Sequence, residues 1–362
     1  MTHVSQRQQH SKRMLIINQR QFGYHSDTYY YCKYLYTDFS IAYICWDYKD
    51  PKINLNGIHT IYISRKGNIV IRNIRFMKSV IKEIKKGYHI HFIKYFKGCS
   101  LIKIIYSRKT FLLDIRSSTI EGSVLWRSAF NLLITIESNF FKHISAISNS
   151  LVKKLGLPKR TFILPIGADV ISAKEKTFNS LHLLYVGTLF KRNIDQTIKG
   201  FSKFYHNYKD KIHIHYTIVG SGETPKEQQR LKALVRQENL TDAVNIAGQI
   251  PHDRLKSFFE NHNVGISYIP KTDFFNAQPP TKTFEYLLSG MPVLATNTLE
   301  NKIVIHRYNG VLIDDNPEAF FQGLAHLYQN RKQYDSNAIR YNISRREWVN
   351  IAAILKQKVE SL

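Results

Sequence analysis

Lys282 and Glu285 lie three residues apart in the chain, directly after Pro279, Pro280 and Thr281. Proline suits the first turn of a helix and threonine can cap one, so a helix N-terminus is expected near residue 280. The free backbone N–H groups and the positive dipole end there favour an anion such as a phosphate. Glu285, about one turn deeper, can accept hydrogen bonds from sugar hydroxyls. The pair suits a nucleotide-sugar, although solvated helix residues with a capping role are as common at such positions.

The elements around this pair alternate between strand and helix. Gly290 and Pro292 end the helix, and a buried strand follows up to Thr296. Upstream, an apolar strand from Leu181 to Gly187 opens a β-α series, which predicts a doubly wound α/β domain. Lys191 and Arg192 follow its first strand and Gly220 follows the next, at the strand ends where open α/β sheets place ligands.

The first half of the chain begins with a strand, a loop and a helix, and one later helix in it has two chemically different sides. Advancing each residue of 70–86 by about 100° collects apolar residues, among them Val70 and Ile74, on one side. The other side is a solvated face or a surface for anionic lipid. Its basic residues are Arg72, Arg75, Lys78, Lys82, Lys85 and Lys86.

Composition adds a strong and uneven positive charge. The net charge is +25; residues 1–172 carry 27 Lys and Arg against 9 Asp and Glu, or +18, and residues 173–362 carry 25 against 18, or +7. Such a field attracts polyanions: nucleic acid, an anionic membrane surface or phosphorylated lipids.

Several classes of protein are disfavoured by what the sequence lacks. No apolar run reaches the roughly 20 residues of a membrane span. The first residues do not form a secretory signal, so a cytosolic location is expected. Cys32, Cys45 and Cys99 are scattered, which predicts free buried thiols and argues against a metal or redox cofactor.

The segment P-T-K-T-F-E-Y-L-L-S-G-M-P-V resembles the P-x-K-x-x-E-Y-x-x-x-G-x-P-V segment of retaining GT-B glycosyltransferases, especially glycosyltransferase family 4. The resemblance implies that Glu285 binds the ribose of the donor nucleotide. The family's glutamate is usually the second of an E-x7-E pair, whose first position here is Ala277. After Gly187, the family's G-R-L-x-x-x-K loop holds the donor diphosphate. Here Thr188 takes the arginine's place, and Lys191 or Arg192 is the expected substitute.

The resemblance extends more loosely to the first half and supplies three catalytic candidates. The strand HIHFIKYF is similar to the family's D-x-x-H-x-H strand, which makes His91 a candidate for the cleft or else a core histidine. FLLDIRS resembles a strand-end acid-x-arginine whose following loop faces the acceptor. Asp114 and Arg116 are therefore cleft candidates or a local ion pair.

The implied fold is GT-B, two Rossmann-like doubly wound α/β domains with a C-terminal helix that crosses back to the first. The expected boundaries are 1–167 for an acceptor-side domain, 168–180 for a linker, 181–335 for the nucleotide-sugar domain and 336–362 for the crossing helix.

The implied function is transfer of a sugar from a nucleotide donor, expected to be UDP-linked, to a saccharide or lipid-linked acceptor in surface polysaccharide or lipopolysaccharide assembly. The sugar transfer is expected to take place at the cytosolic face of an anionic membrane, without metal or nucleic acid. A sugar-nucleotide epimerase and a non-enzymatic protein that binds nucleic acid or membrane are the alternatives.

Overall fold

The computed structural model of the protein describes residues 12–119 and 123–362. The chain forms two compact units. The first contains the residues up to Ile166 together with Trp348–Leu362, and the second is Gly167–Glu347. The predicted linker, 168–180, lies within the second unit, and the finer boundaries stay a prediction.

A seven-stranded parallel sheet forms the centre of the first unit. Its inner strands are apolar along nearly their whole length, because helices cover both faces of a parallel sheet. The spatial order is β3-β2-β1-β4-β5-β6-β7. The strands are β1 (Lys12–Ile17), β2 (Phe39–Asp47), β3 (Ile58–Ser64), β4 (Ile90–Lys94), β5 (Phe111–Ile115), β6 (His143–Ala146) and β7 (Phe162–Ile163).

Five helices connect these strands. His25 is the residue that caps the first of them, because its side chain accepts from the backbone N–H of Thr28. The helices are α1 (Ser26–Leu35), α2 (Ile69–Ile84), α3 (Cys99–Ile105), α4 (Val124–Ser138) and α5 (Asn149–Leu155). The sequence patterns did not predict α3 and α4.

The second unit contains a six-stranded parallel sheet in the order β10-β9-β8-β11-β12-β13. Its strands are β8 (Leu181–Val186), β9 (Ile214–Val219), β10 (Val244–Gly248), β11 (Val264–Ser267), β12 (Val293–Thr296) and β13 (Gly310–Ile313). Its helices are α6 (Ile194–Tyr208), α7 (Pro225–Gln237), α8 (Lys256–Asn261), α9 (Asp273–Asn276), α10 (Thr281–Leu288), α11 (Leu299–Val304), α12 (Pro317–Gln329) and α13 (Ser336–Ile343).

A last helix, α14 (Trp348–Glu360), belongs to the first unit. The Trp348 ring stacks on Tyr30 of α1 with centroids 4.8 Å apart, and Ile351, Leu355 and Val359 are fully buried. Residues separated by more than 300 positions therefore share one core.

In each sheet the spatial order of the strands reverses between the first and the fourth strand in sequence. These strands are β1 and β4 in the first unit and β8 and β11 in the second. Crevices at the carboxyl ends of such strand pairs are where doubly wound sheets bind ligands. The predicted pair of doubly wound α/β units is confirmed. The three cysteines are free and buried, also as predicted.

Candidate functional site

A cavity of about 400 Å³ opens at the carboxyl ends of β8 and β11 in the second unit. The stretch after β8 supplies one wall, and the start of α10 supplies another. The lining residues are Val186, Gly187, Thr188, Arg192, His252, Leu255, Ile269, Phe274, Phe275, Gln278, Pro279, Pro280, Thr281, Lys282 and Glu285. Six of the eight residues predicted to bind the donor are among them.

Lys282 is the second residue of α10 and lies inside this cavity. Its ammonium is 3.9 Å from the centre of the Tyr185 ring and has no hydrogen-bond partner among the described residues. Burial and the nearby charge of Arg192 lower the pKa of Lys282 to about 7, and the carboxyl group of Glu285 acts in the opposite direction. A buried cation without a partner is costly, so the site favours an anion. Pro280, rather than Thr281, is the N-cap residue, and Thr281 is the first residue of the helix.

Arg192 lies across the cavity with its guanidinium carbon 4.0 Å from the centre of the Phe275 ring. Its Nε and Nη1 atoms are buried, and the described part of the chain offers them no acceptor. Burial lowers its pKa. Lys191 is exposed and does not line the cavity. Of the two predicted phosphate ligands, Arg192 is the one that the structure places beside Lys282.

Glu285 follows Lys282 by one turn of α10. Burial and the nearby Asp169 raise the pKa of its carboxyl group to about 7, and Lys282 acts in the opposite direction. His252 Nε2 lies 4.0 Å from its Oε1 atom. The cavity therefore contains an acceptor of hydrogen bonds as well as the two cations.

The glycine turns after β8 and β9 fix the floor of this region. A Cβ atom on Gly220 would lie 1.8 Å from the carbonyl oxygen of Gly187, so only glycine allows the two loops to approach. The Tyr185 hydroxyl donates to the Thr188 carbonyl oxygen at 2.7 Å. Gly220 itself lines an adjoining cavity of about 360 Å³ that also contacts Gly187 and Thr188.

Ala277, at the position of the family's first glutamate, is buried. The side chain of neighbouring Asn276 accepts from the backbone N–H of Leu299 at 3.0 Å, and Gln278 lines the cavity. The polar group closest in sequence to that position and facing the cavity is therefore Gln278.

Asp314 and Asp315 contact a lysine rather than cap a helix. Lys271 donates to Asp314 through Nζ at 2.8 Å and to Asp315 through its backbone N–H at 2.9 Å. Asn316 is the cap of α12. Within residues 12–119 and 123–362, no three His, Cys, Asp or Glu side chains come close enough to hold a metal ion.

Residues 180–330 match the model of the family described as Glycosyl transferases group 1. The chain has the GT-B fold, and its second unit matches a glycosyltransferase family. Members of this group use a nucleotide-sugar as substrate, as the sequence predicted.

Solved structures at low sequence identity share the fold of this chain. Sucrose-phosphate synthase from Thermosynechococcus elongatus is 15% identical, with a TM-score of 0.76 over 97% of this chain and 98% of that one. Anabaena HepE in complex with UDP is 12% identical, with a TM-score of 0.77 over 97% and 100%. The lipopolysaccharide outer core galactosyltransferase WaaB is 13% identical, with a TM-score of 0.71 over 96% and 99%. No curated protein matches the chain by sequence.

Two of the predicted catalytic candidates, Asp114 and Arg116, lie together at the end of β5, and both are buried. Arg116 forms an ion pair with Asp27 of α1 and donates through Nη1 to the Leu164 carbonyl oxygen at 2.6 Å. Asp114 accepts from the Ser145 hydroxyl at 2.7 Å, and burial raises its pKa to about 6. Internal contacts of the first unit thus hold both side chains, and their catalytic role stays a prediction.

His91, the third candidate, is near the amino end of β4, where it pairs in register with Phe111 at the start of β5. Its Nδ1 atom is 2.9 Å from the Thr110 carbonyl oxygen, its ring is 4.8 Å from that of Phe111, and burial lowers its pKa. The structure therefore does not bring His91 to the strand end that holds Asp114 and Arg116.

The basic residues of α2 differ in their exposure. Arg75 is half-buried and donates to the backbone oxygens of Ser64 and Lys66 at 2.9 and 2.7 Å, so it also anchors the preceding loop. Lys86 pairs with Glu83 at 2.8 Å. Arg72 is half-buried, and four residues are exposed: Lys78, Lys82, Lys85 and Lys86. Because α2 ends at Ile84, the last two lie beyond the helix.

The apolar side of α2 is covered only in part. Phe76, Val80 and Ile84 are buried, but Val70 and Ile74 of the predicted apolar side are about half exposed or more. Exposed apolar side chains also occur on α3 and α4, including Leu125 and Trp126.

Sequence reasoning missed several residues of the cavity in the second unit, among them His252 and Phe275. Both lie in loops or short helical turns after strands, where no periodicity marks the direction of a side chain. Their only sequence signal was the position after a β-strand of an open α/β sheet.

Proposed function

We propose that this glycosyltransferase moves a sugar from a UDP-linked donor to a saccharide or lipid-linked saccharide, with retention of anomeric configuration, in surface polysaccharide or lipopolysaccharide assembly. One observation carries the proposal. One cavity at the strand ends of the second unit contains the cations of Lys282 and Arg192, whose buried nitrogen atoms have no acceptor among the described residues, and the carboxyl group of Glu285. We call it the donor cavity.

The charges of this cavity suit a nucleoside diphosphate. Lys282 and Arg192 supply two positive charges, and the first N–H groups of α10 have no intrahelical acceptor. Glu285, one turn deeper, accepts from ribose hydroxyls. Leu255 and Ile269 supply apolar surface for the base. UDP is the nucleotide that the HepE structure contains, which supports a uridine donor.

In the reaction the bond between the anomeric carbon and the β-phosphate oxygen breaks, and a bond from that carbon to an acceptor oxygen forms. The diphosphate leaves with the electron pair of the broken bond, and its departing oxygen takes the proton that the acceptor hydroxyl loses. Lys282, Arg192 and the start of α10 stabilise the departing charge by fixed electrostatics. Asp114 and Arg116 are proposed for the acceptor side, with Arg116 positioned by Asp27.

The acceptor side of the proposal includes attachment to an anionic membrane. No helix in the described residues is long and apolar enough to span a bilayer. In the first unit, basic and apolar side chains are exposed on the same helix, with Lys78 and Lys82 beside Ile71 and Ile74. Basic groups beside exposed apolar groups are the combination that binds helices to anionic interfaces. The name of the WaaB relative, a lipopolysaccharide galactosyltransferase, agrees with such a role.

A panel of nucleotide-sugars tests the proposal. Each donor is incubated with the protein, first alone and then with lipid-linked saccharides, and free nucleotide and product are measured by chromatography. We expect slow release of UDP from one UDP-sugar and faster release with an acceptor. Release of a free 2-epimer would instead indicate an epimerase. No turnover of any donor together with tight DNA binding would indicate a nucleic-acid-binding protein. Either result would overturn the proposal.

A further inference from the structure

A second cavity, of about 610 Å³, lies at the carboxyl ends of β1 and β4 in the first unit. It occupies the point where the strand order of that sheet reverses, the equivalent of the donor cavity's place in the other sheet. The loops after β1 and β4 and the first turn of α2 line it. We call it the basic pocket; its lining residues are Asn18, Gln19, Arg20, Trp46, Tyr48, Arg65, Ile69, Arg72, Asn73, Lys94, Tyr95, Phe96 and Lys97.

Five of these residues carry a positive charge and none is Asp or Glu. Arg20, Arg65, Arg72, Lys94 and Lys97 have no ion pair with any residue that the structure describes. Like charges that are not paired with an acid repel one another, and this repulsion costs free energy. A bound anion would remove that cost.

Two of the five are also poorly solvated. The Nε atom of Arg65 is buried without a hydrogen-bond acceptor in the described chain, while its guanidinium carbon is 4.0 Å from the centre of the Tyr48 ring. Burial lowers the pKa of Lys94 to about 8, although Asp27 and Asp114 act to raise it. Buried donors without acceptors are the feature that distinguishes a binding site from a merely basic surface.

We propose that the basic pocket binds a phosphate or pyrophosphate group carried by the acceptor. This inference rests on the proposed function, because it concerns the acceptor of the same transfer. Three guanidinium groups and two ammonium groups carry more positive charge and more hydrogen-bond donors than one carboxylate can use. They match a group with several anionic oxygens. The volume accommodates a sugar phosphate, and Trp46, Tyr48 and Tyr95 add aromatic surface beside the cations.

The rim of the basic pocket points to a lipid as the source of that phosphate. Ile69 lines the pocket and is 62% exposed, and the next two residues, Val70 and Ile71, are exposed by 60% and 50%. A lipid phosphate would place its anionic group on the cations and its chain along this apolar turn. A soluble sugar phosphate would use the cations alone.

The test measures binding of inorganic pyrophosphate to the full chain saturated with UDP, so that the donor cavity is filled. Titration calorimetry should detect a pyrophosphate site in the parent. In Arg65→Met/Lys94→Met the affinity should fall about tenfold or more, because each lost contact is a bond to a charged group. Lys232→Met/Arg236→Met is the matched control, since it removes one lysine and one arginine from exposed positions on α7, outside both cavities. It should bind pyrophosphate like the parent.

Equal losses in the two double variants, or no pyrophosphate binding by the parent, would overturn the inference. Circular dichroism shows whether each variant is folded, and Arg72→Gln provides a second test at the surface of α2 if the first variant unfolds. A chain that binds UDP but not pyrophosphate leaves the proposed function intact. A chain that fails to bind UDP contradicts the proposed function instead.

The two sources of phosphate are separated by comparing glucose 6-phosphate with a polyprenyl phosphate in detergent micelles. Ile69→Ser should weaken only the polyprenyl phosphate. A preference for glucose 6-phosphate that Ile69→Ser leaves unchanged would overturn the lipid source.

Discussion

The two sheets of the protein have the same strand order up to their sixth strand, but the cavities at their reversal points differ in charge. The donor cavity combines two cations with the carboxyl group of Glu285, whereas the basic pocket has five cations and no carboxylate. Burial lowers the pKa of a lysine in each, to about 7 for Lys282 and about 8 for Lys94. The shared fold thus places both proposed binding cavities at equivalent strand ends, while the residues of the loops after the strands set which class of ligand each cavity suits.

The largest expected effect concerns the surface of the first unit. Replacing Lys78, Lys82 and Lys85 with glutamate should weaken binding to anionic liposomes at least a hundredfold, because each basic residue near such a surface contributes about 1 kcal/mol. Co-sedimentation measures this, and salt should weaken the parent's binding as well.

Liposomes of neutral lipid are the control, and they should bind neither protein. If the triple variant sediments with anionic liposomes as the parent does, the exposed face of α2 is a solvated cover on the sheet.

The next effect separates Arg192 from Lys191 in the donor cavity. Arg192→Ala should lower UDP affinity by about 1.5 to 3 kcal/mol, the usual contribution of a bond to a charged group, and should change uridine affinity little. Lys191→Ala is the matched control, and it should leave both affinities near those of the parent. Calorimetry that shows equal losses of UDP and uridine for Arg192→Ala would refute contact with the phosphates.

Glu285→Ala should lower UDP affinity by about 1 to 3 kcal/mol, because a charged hydrogen bond to the ribose is lost. Uridine should lose as much as UDP, which distinguishes this residue from Arg192. Glu318→Ala removes a carboxylate that is half exposed on α12 and serves as the control. Unchanged UDP affinity in folded Glu285→Ala would remove this residue from the site.

The smallest effect is a gain of stability from Lys282→Met. The pKa of Lys282 is lowered in the folded state from its ordinary value of 10.5 to about 7, so its charge destabilises the fold. That cost is complete below pH 7 and disappears as pH rises towards 10.5. One pKa unit corresponds to about 1.4 kcal/mol, and imperfect packing of methionine offsets part of the gain, so we expect about 1 to 2 kcal/mol. Thermal unfolding at pH 6 and pH 9 measures it.

The same variant tests the pH dependence of donor binding. A bound diphosphate raises the pKa of Lys282, so the contribution of this lysine is complete below pH 7 and falls as pH rises further. UDP affinity of the parent should therefore decrease between pH 7 and pH 9, and that of Lys282→Met should decrease less. Parallel profiles would show that another group titrates.

The sequence predicted the second unit better than the first. Lys282 and Glu285 were found because a helix start with two prolines places side chains at known depths. Arg192 could not be separated from Lys191, since a loop has no periodicity that fixes direction. The basic pocket was missed because its cations come from three separate loops and from α2, and only the order of strands in the sheet brings Arg20, Arg65 and Lys94 together.

The return of α14 to the first unit has a consequence for folding during synthesis. Residues up to Ile166 leave the ribosome first, yet α1 lacks its partner until Trp348 and the buried side chains after it have been made. The second unit, continuous from Gly167 to Glu347, is complete before that moment. The usual N-to-C order of domain folding is therefore reversed for the final packing step. Nascent chains stopped before Trp348 should expose the α1 surface to chaperones while their second unit is already protected from protease.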